Sequence, residues 1–223
     1  MVIIRSVGER TEQQLIDRYP GAVVIRHVTP FYEALKQCLE IGLESNAEQI
    51  VCIDADVTPA PKMYEELVSA LQSHGDAYAA VPKLEDYLQG RRRTVGVHAY
   101  NRKRIPEALS YIGRLKGDAR PESSLRKMMK RTIKLSRPLG VHGEGQYYRD
   151  IYRTALLWSY KHERHEAYLT AYWEERIDDP DFRVALRGWY DGKEMRVRKC
   201  DAGMDIDYGA ILADMGLQEK EPL

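Results

Sequence analysis

Asp54-Ala55-Asp56 is the segment of this chain whose residue types and spacing speak most directly of chemistry, because it follows the unbroken apolar run Ile50-Val51-Cys52-Ile53. Carboxylates two residues apart can both approach one Mg²⁺ or Mn²⁺, directly or through water. Such hard cations commonly complete their shell with substrate phosphate oxygens, and the ion would offset charge building on a departing diphosphate. In an arbitrary surface loop the same triplet is an ordinary solvated turn. Its place at the end of an apolar strand, where α/β folds bind ligands, is what sets it apart.

Other residues form a second rank. His142 lies in Gly140-Val141-His142-Gly143-Glu144-Gly145, where glycines permit close backbone approach to a ligand and imidazole suits Mn²⁺ better than Mg²⁺. A histidine satisfied within its own loop would carry the same pattern. Glu122, in Arg120-Pro121-Glu122-Ser123, would deprotonate a hydroxyl held within hydrogen-bond reach, and it equally suits the positive end of a helix. Arg91-Arg92-Arg93 sits between Gly90 and Gly96. Guanidinium groups there suit a diphosphate or an anionic acceptor, and they also suit a solvated hairpin. Trp158, Trp173 and Trp189, with neighbouring tyrosines, fit an acceptor platform, a dimer interface or core alike.

These residues need a scaffold, and the first half of the chain alternates short β-rich runs with helical patterns, as βαβ units do. Val2-Ile3-Ile4, Ala22 to Ile25, Gln49 to Ile53 and Ala77 to Val81 read as strands. Phe31, Ala34, Leu35, Cys38, Leu39 and Gly42 recur at helical spacing, as do Met63, Leu67, Val68 and Leu71. Thr94 to Tyr100 reads as a further strand, Arg102 to Ile112 as helix, and Ser123 to Leu135 as a basic helix ending in a Ser136 to Gly140 turn. The remainder reads mainly as helix, with Glu219 to Leu223 a frayed tail.

Composition narrows the setting. With 223 residues the chain supports one main domain with a small appended region. Thirty-four basic and thirty-four acidic side chains cancel, so no global field draws it to nucleic acid or to an anionic membrane. Cys38, Cys52 and Cys200 are odd in number and far apart, which suggests reduced thiols and a cytoplasmic setting. No run approaches the ~20 apolar residues of a spanning helix. The start, Met1-Val2-Ile3-Ile4-Arg5, is unlike a signal peptide.

Taken together, the opening strand, the Arg5-Ser6-Val7-Gly8-Glu9-Arg10 loop, the helix from Phe31 and the strand ending in Asp54-Ala55-Asp56 resemble the nucleotide-sugar-binding half of GT-A glycosyltransferases, the family-two type in particular. The resemblance covers roughly residues 1–145. It implies a Rossmann-like α/β fold with a mostly parallel, mixed sheet as a core over 1–145, and a helical extension over 146–223. It also implies metal-assisted transfer of a hexosyl group from a nucleotide diphosphate sugar to a hydroxyl acceptor, whether saccharide, lipid-linked glycan or protein. By that resemblance Arg5, Ser6, Gly8, Glu9 and Arg10 meet the nucleoside, and Asp54, Ala55 and Arg93 line the donor site. Asp54, Asp56 and His142 hold the metal, and Glu122 is the catalytic base.

Two other readings stand beside it. A nucleotidyltransferase shares the layered plan and metal-bound phosphates, but the glycine-rich basic loop expected to cradle a triphosphate is absent from residues 2–20. A binding or scaffolding protein could keep the fold without activity. A homodimer is compatible with each.

Overall fold

The computed structural model describes residues 1–118, 120–196 and 204–223; Cys200 lies outside them. Two compact units divide the chain, one formed by 1–86, 91–144 and Leu223, the other by 87–90 and 145–222.

The first unit is a mixed α/β layer structure, as the alternating pattern anticipates. Its sheet contains β1 (Val2–Ser6), β2 (Val23–Arg26), β3 (Gln49–Asp54), β4 (Val57–Pro59), β5 (Ala79–Asp86), β6 (Arg91–Arg93), β7 (Val97–Asn101) and β8 (Thr132–His142). The spatial order is β2-β1-β3-β7-β5-β8-β4, with β6 added on β5. Pairing is parallel for β2-β1-β3 and for β5-β8, and antiparallel at β7, β4 and β6. In β3 the residues Ile50, Val51, Cys52 and Ile53 are all fully buried, because side chains alternate between faces and both faces are covered. Ile3, Ile50 and Cys52 join one apolar cluster with α2 (Phe31–Glu44), α4 (Ile105–Ile112) and α5 (Pro121–Met129). Ile4, Val51 and Ile53 join another with α1 (Glu12–Arg18) and α3 (Met63–Ser73).

Three departures from the sequence pattern matter. The expected basic helix over 123–135 stops at Met129, and the expected turn over 136–140 lies inside the eleven-residue strand β8. Lys130 and Arg131 take left-handed φ values of 57° and 46°, which end the helix, and the alternation from Thr132 onward then pairs with β5. Two β-breaking prolines are accommodated where that pairing is irregular, Pro82 between the shifted pairs at Val81 and Lys83, and Pro138 beside the next shift. Second, Phe31 does not join the stripe of α2: Ala34, Leu35, Cys38, Leu39 and Gly42 are buried, whereas Phe31 is 41% exposed.

The third departure concerns the second unit, which packs α6 (Tyr148–Lys161), α7 (Glu166–Glu174), α8 (Pro180–Glu194) and α9 (Tyr208–Asp214) around its own core. Trp173 and Trp189 are fully buried there with ring centroids 5.8 Å apart, so these two tryptophans are core. The C-terminal segment is anchored and not frayed. Glu219 accepts the Tyr148 and Arg149 backbone N–H groups at 2.7 and 3.1 Å, capping α6, and Lys220 pairs with Asp181. Gly188 has no room for a side chain, since a Cβ there would come within 2.4 Å of the Tyr152 carbonyl oxygen. No helix among the described residues is long and apolar enough to cross a membrane.

Candidate functional site

Register brings the chemistry-bearing residues of the first unit to one edge of its sheet. Arg5 and Asp54 are direct partners in the β1–β3 ladder, and His98 and Tyr100 stand opposite Cys52 and Ile50 in the β3–β7 ladder. Opposed residues share a face, so Arg5, Asp54, His98 and Tyr100 all project towards the side covered by α5. Glu122, in the first turn of that helix, meets them there.

Arg5 is the hub of this group. It is 4% exposed, and its guanidinium reaches Asp54 Oδ1 at 2.7 Å and Glu122 Oε1 at 2.6 Å while lying 4.8 Å from the centre of the Phe31 ring. Glu122 Oε1 also meets His98 Nδ1 at 3.1 Å and accepts from the Tyr100 hydroxyl at 3.3 Å. Arg126, one turn along α5, donates to His98 Nε2. Burial lowers the His98 pKa, which favours the neutral ring with Nε2 accepting from Arg126, while Nδ1 lies near Glu122 without a hydrogen bond. Burial resists ionisation of Glu122 as well, but Arg5 and His98 overcome it and hold the carboxyl well below its usual range. Asp54 shares the same guanidinium with less support. Burial, with Glu122 and Asp56 adding repulsion, pushes it up to about 7 against the pull of Arg5.

A second cluster sits on the far side of the β3 end. His142, the last residue of β8, lies 3.2 Å from Asp56 Oδ2 and 3.3 Å from Asp86 Oδ2, and Arg93 Nη1 donates to the same Asp86 oxygen at 2.6 Å. Burial opposes the imidazolium form, but the two carboxylates outweigh it and raise the His142 pKa to about 10. The imidazolium in turn lowers Asp56 and Asp86, both against burial. Gly96 separates this cluster from Asp54. Its φ is +69°, and a Cβ there would come within 2.7 Å of Val57 Cγ2, 3.3 Å of His142 Cδ2 and 3.7 Å of Asp54 Oδ2.

Two cavities open on these groups and share Phe31 and Asp54 in their walls. The smaller, about 160 Å³, combines the apolar Val7, Ile25, Val28, Phe31 and Ala34 with Ser6, Glu9, Asp54 and Asp56. The larger, about 290 Å³, is polar and cationic, with Arg93, Thr94, His98, Arg120, Glu122, Ser123 and Arg126 among its lining.

Several expected site residues have structural duties. Arg5 is paired with two carboxylates and also lines the smaller cavity. Ala55 is fully buried, its N–H bonded to the Arg5 carbonyl at 2.8 Å and its carbonyl accepting from Thr11 Oγ1, so it fixes the turn between the two aspartates. Glu9 accepts from Ser6 Oγ and from Val7 N, both at 2.7 Å, and Gly8 N donates to Ser6 Oγ at 3.0 Å. Gly8 has φ +98°, which a side chain rarely adopts. Arg10 is half-buried beyond this loop and does not line either cavity. Sequence reasoning did not single out Asp86, His98 or Arg126. Asp86 ends β5 as Asp54 ends β3, so the strand-end rule that singled out Asp54 would have found it.

The donors around Asp56 suit a hard divalent cation. Asp56 Oδ1 is buried and has no hydrogen-bond partner, and carboxylate oxygen with imidazole nitrogen is a set that Mn²⁺ accepts. They are not gathered into a finished cage, since among the described residues no three His, Cys, Asp or Glu side chains are placed to hold one ion. Asp54 Oδ1 is taken by Arg5, and His142 is held between Asp56 and Asp86.

No family model and no curated protein matches the chain. Solved structures with a similar plan include a glycosyltransferase involved in glycosylation of the major capsid of PBCV-1, at 13% identity and TM-score 0.46 over 65% of this chain and 92% of that one. Another is 2-C-methyl-D-erythritol 4-phosphate cytidylyltransferase from Thermus thermophilus, at 15% identity and TM-score 0.45 over 61% of this chain and 88% of that one. With identities this low and TM-scores below 0.5, these likenesses assign no role to any residue here.

Proposed function

We propose that the first unit is a glycosyltransferase that moves a sugar from a nucleotide diphosphate sugar to a hydroxyl acceptor with the help of Mn²⁺ or Mg²⁺. The observation that carries the reading is the position of Asp54 where an apolar slot meets a cationic cavity, with Asp56 in the wall of the slot and its Oδ1 buried and unpartnered. The slot offers the exposed face of Phe31 and the side chains of Val7 and Val28 to a base, and Glu9 and Ser6 to ribose hydroxyls. Asp54, Asp56 and His142 would hold the ion, which supplies Lewis-acid stabilisation of the departing diphosphate. Its binding would require the His142 proton to leave, because a ligating imidazole is neutral. Arg93 would meet donor oxygens from the cavity side.

Glu122 takes a different part from the base expected above. Oε1 is engaged by Arg5, His98 and Tyr100, and the carboxylate is held in its ionised form. A group of such low proton affinity is a weak base. Glu122 therefore orients Arg5 and His98 and presents Oε2 to the acceptor hydroxyl.

One observation favours sugar transfer over nucleotidyl transfer. In the β1 loop the Val7 and Gly8 N–H groups are spent on Glu9 and Ser6 oxygens, and a carboxylate stands where a triphosphate would need donors. The test is calorimetry of UDP, GDP and CDP with and without Mn²⁺, beside a screen of nucleotide sugars for release of the nucleoside diphosphate. Metal-dependent binding of one nucleotide, lost in Asp56→Ala, supports the proposal. Equal binding of every nucleotide by wild type and Asp56→Ala, or none by either, removes it.

A further inference from the structure

We infer that the cationic cavity binds a phosphate group carried by the acceptor, held by Arg120 and Arg126; this deepens, and rests on, the glycosyltransferase reading. The charges lining the cavity divide unevenly. Its two carboxylates, Asp54 and Glu122, are both paired with the buried Arg5, which lines the adjoining slot and not this cavity. Arg93 is paired with Asp86. Arg120 and Arg126 remain, and among the described residues neither has an ion-pair partner. Among the described residues the side-chain partner of Arg126 is His98 Nε2, and a neutral ring adds no negative charge beside the guanidinium while fixing its position. The contact from His98 Nδ1 to Glu122 Oε1, 3.1 Å, fixes the ring in turn.

Two guanidinium groups that line one cavity without an ion-pair partner among the described residues are stabilised by a multi-oxygen anion, which a guanidinium binds in fork geometry. Ser123 and Thr94 add hydroxyl donors on the same lining. The donor's own diphosphate belongs elsewhere, with Asp56 in the slot and Asp54 where the slot meets the cavity. Arg120 and Arg126 line the larger cavity alone, which shares only Asp54 and Phe31 with the slot, and that cavity is the place left for the second reactant. A phosphorylated sugar or polyol is the class of acceptor this cavity selects, its phosphate on Arg120 and Arg126 and its hydroxyl turned back towards Glu122 and Asp54.

The test uses inorganic phosphate as probe, titrated into the full chain at fixed ionic strength, alone and with a saturating nucleoside diphosphate and Mn²⁺. Loss of one charge-assisted contact should weaken phosphate binding about tenfold in Arg120→Ala, and Arg126→Gln should do the same. Arg120 is exposed, so its variant keeps the fold, and a thermal melt with the nucleotide affinity checks both proteins. Phosphate that binds together with the nucleotide and is weakened by either substitution supports the inference. Unchanged phosphate affinity in both variants overturns it, and so does mutual displacement of phosphate and nucleotide, which would make the subsite part of the donor site. Failure of every nucleotide to bind, with arginine-dependent phosphate binding intact, would instead refute the glycosyltransferase reading and with it the acceptor assignment, leaving an anion site alone.

Discussion

Replacing Arg5 by Met should destabilise the protein strongly while leaving a side chain of similar length. Arg5 is 4% exposed and is the shared cation for Asp54, 22% exposed, and Glu122, 12% exposed, at 2.7 and 2.6 Å. Removing one member of a buried ion-pair group leaves the others without compensation and costs about 3–5 kcal/mol. For a chain of this length each kcal/mol shifts Tm by roughly 2–4 °C, so the expected fall is on the order of 6–20 °C. The cause is checked by a double-mutant cycle in which Glu122→Gln removes one of the stranded charges. Alone it should destabilise; in the Arg5→Met background it should cost less or stabilise, giving a coupling of about 1–3 kcal/mol. Thermal and urea melts of the four proteins at pH 7 measure both quantities. An Arg5→Met protein within about 1 kcal/mol of wild type would refute the reasoning, and additive single effects would show that Arg5 and Glu122 do not act as a unit.

Other expectations follow from the same geometry. His142 has its folded pKa raised from 6.5 to about 10, so its contribution is complete below pH 6.5 and is lost as pH rises through about 10. In EDTA, stability should therefore fall between pH 6.5 and 10 by on the order of a few kcal/mol at most, read as a falling Tm, and a His142→Gln protein should show a flatter profile. Gly96→Ala should cost about 1–3 kcal/mol, because it forces a Cβ within 2.7 Å of Val57 at φ +69°; a melt unchanged from wild type would contradict the close packing between Asp54 and His142. Asp56→Ala should weaken Mn²⁺-dependent nucleotide binding at least about tenfold, read by calorimetry, and in the absence of metal its effect on Tm should shrink as pH falls through the folded pKa of Asp56, which lies below the ordinary carboxylate value. Glu122→Gln should lower kcat less than removal of a true general base, which costs about 10²–10⁴-fold; a loss at the upper end of that range would restore Glu122 as the base.

The sequence by itself determined the layered α/β plan of the first unit and the place of its acidic pair. Apolar runs such as Ile50 to Ile53 have to be buried on both faces, helical stripes have to cover them, and a chain leaving such a strand has to present its next residues at the sheet edge. Asp54, Asp56 and the loop after β1 were legible for that reason. The left-handed Lys130 and Arg131 are not, and with them β8 as far as Gly140 reads as helix and turn, because Ser123 to Leu135 has good helical spacing and only pairing with β5 and β4 gives Thr132 to His142 a strand's hydrogen bonds.

Only the tertiary structure decided what each candidate touches. That Arg5 serves Asp54 and Glu122, residues 49 and 117 positions away, follows from the β1–β3 register and from α5 lying over that face. That His142 is locked between Asp56 and Asp86 follows from β8 pairing with both β4 and β5. Charges in a buried site act on whatever is within a few ångströms in space, and periodicity along the chain carries no information about those distances. Hence the sequence located the acidic pair, whereas the assignment of Glu122 to holding and orienting, and of Arg120 and Arg126 to the cationic cavity, depended on the folded chain.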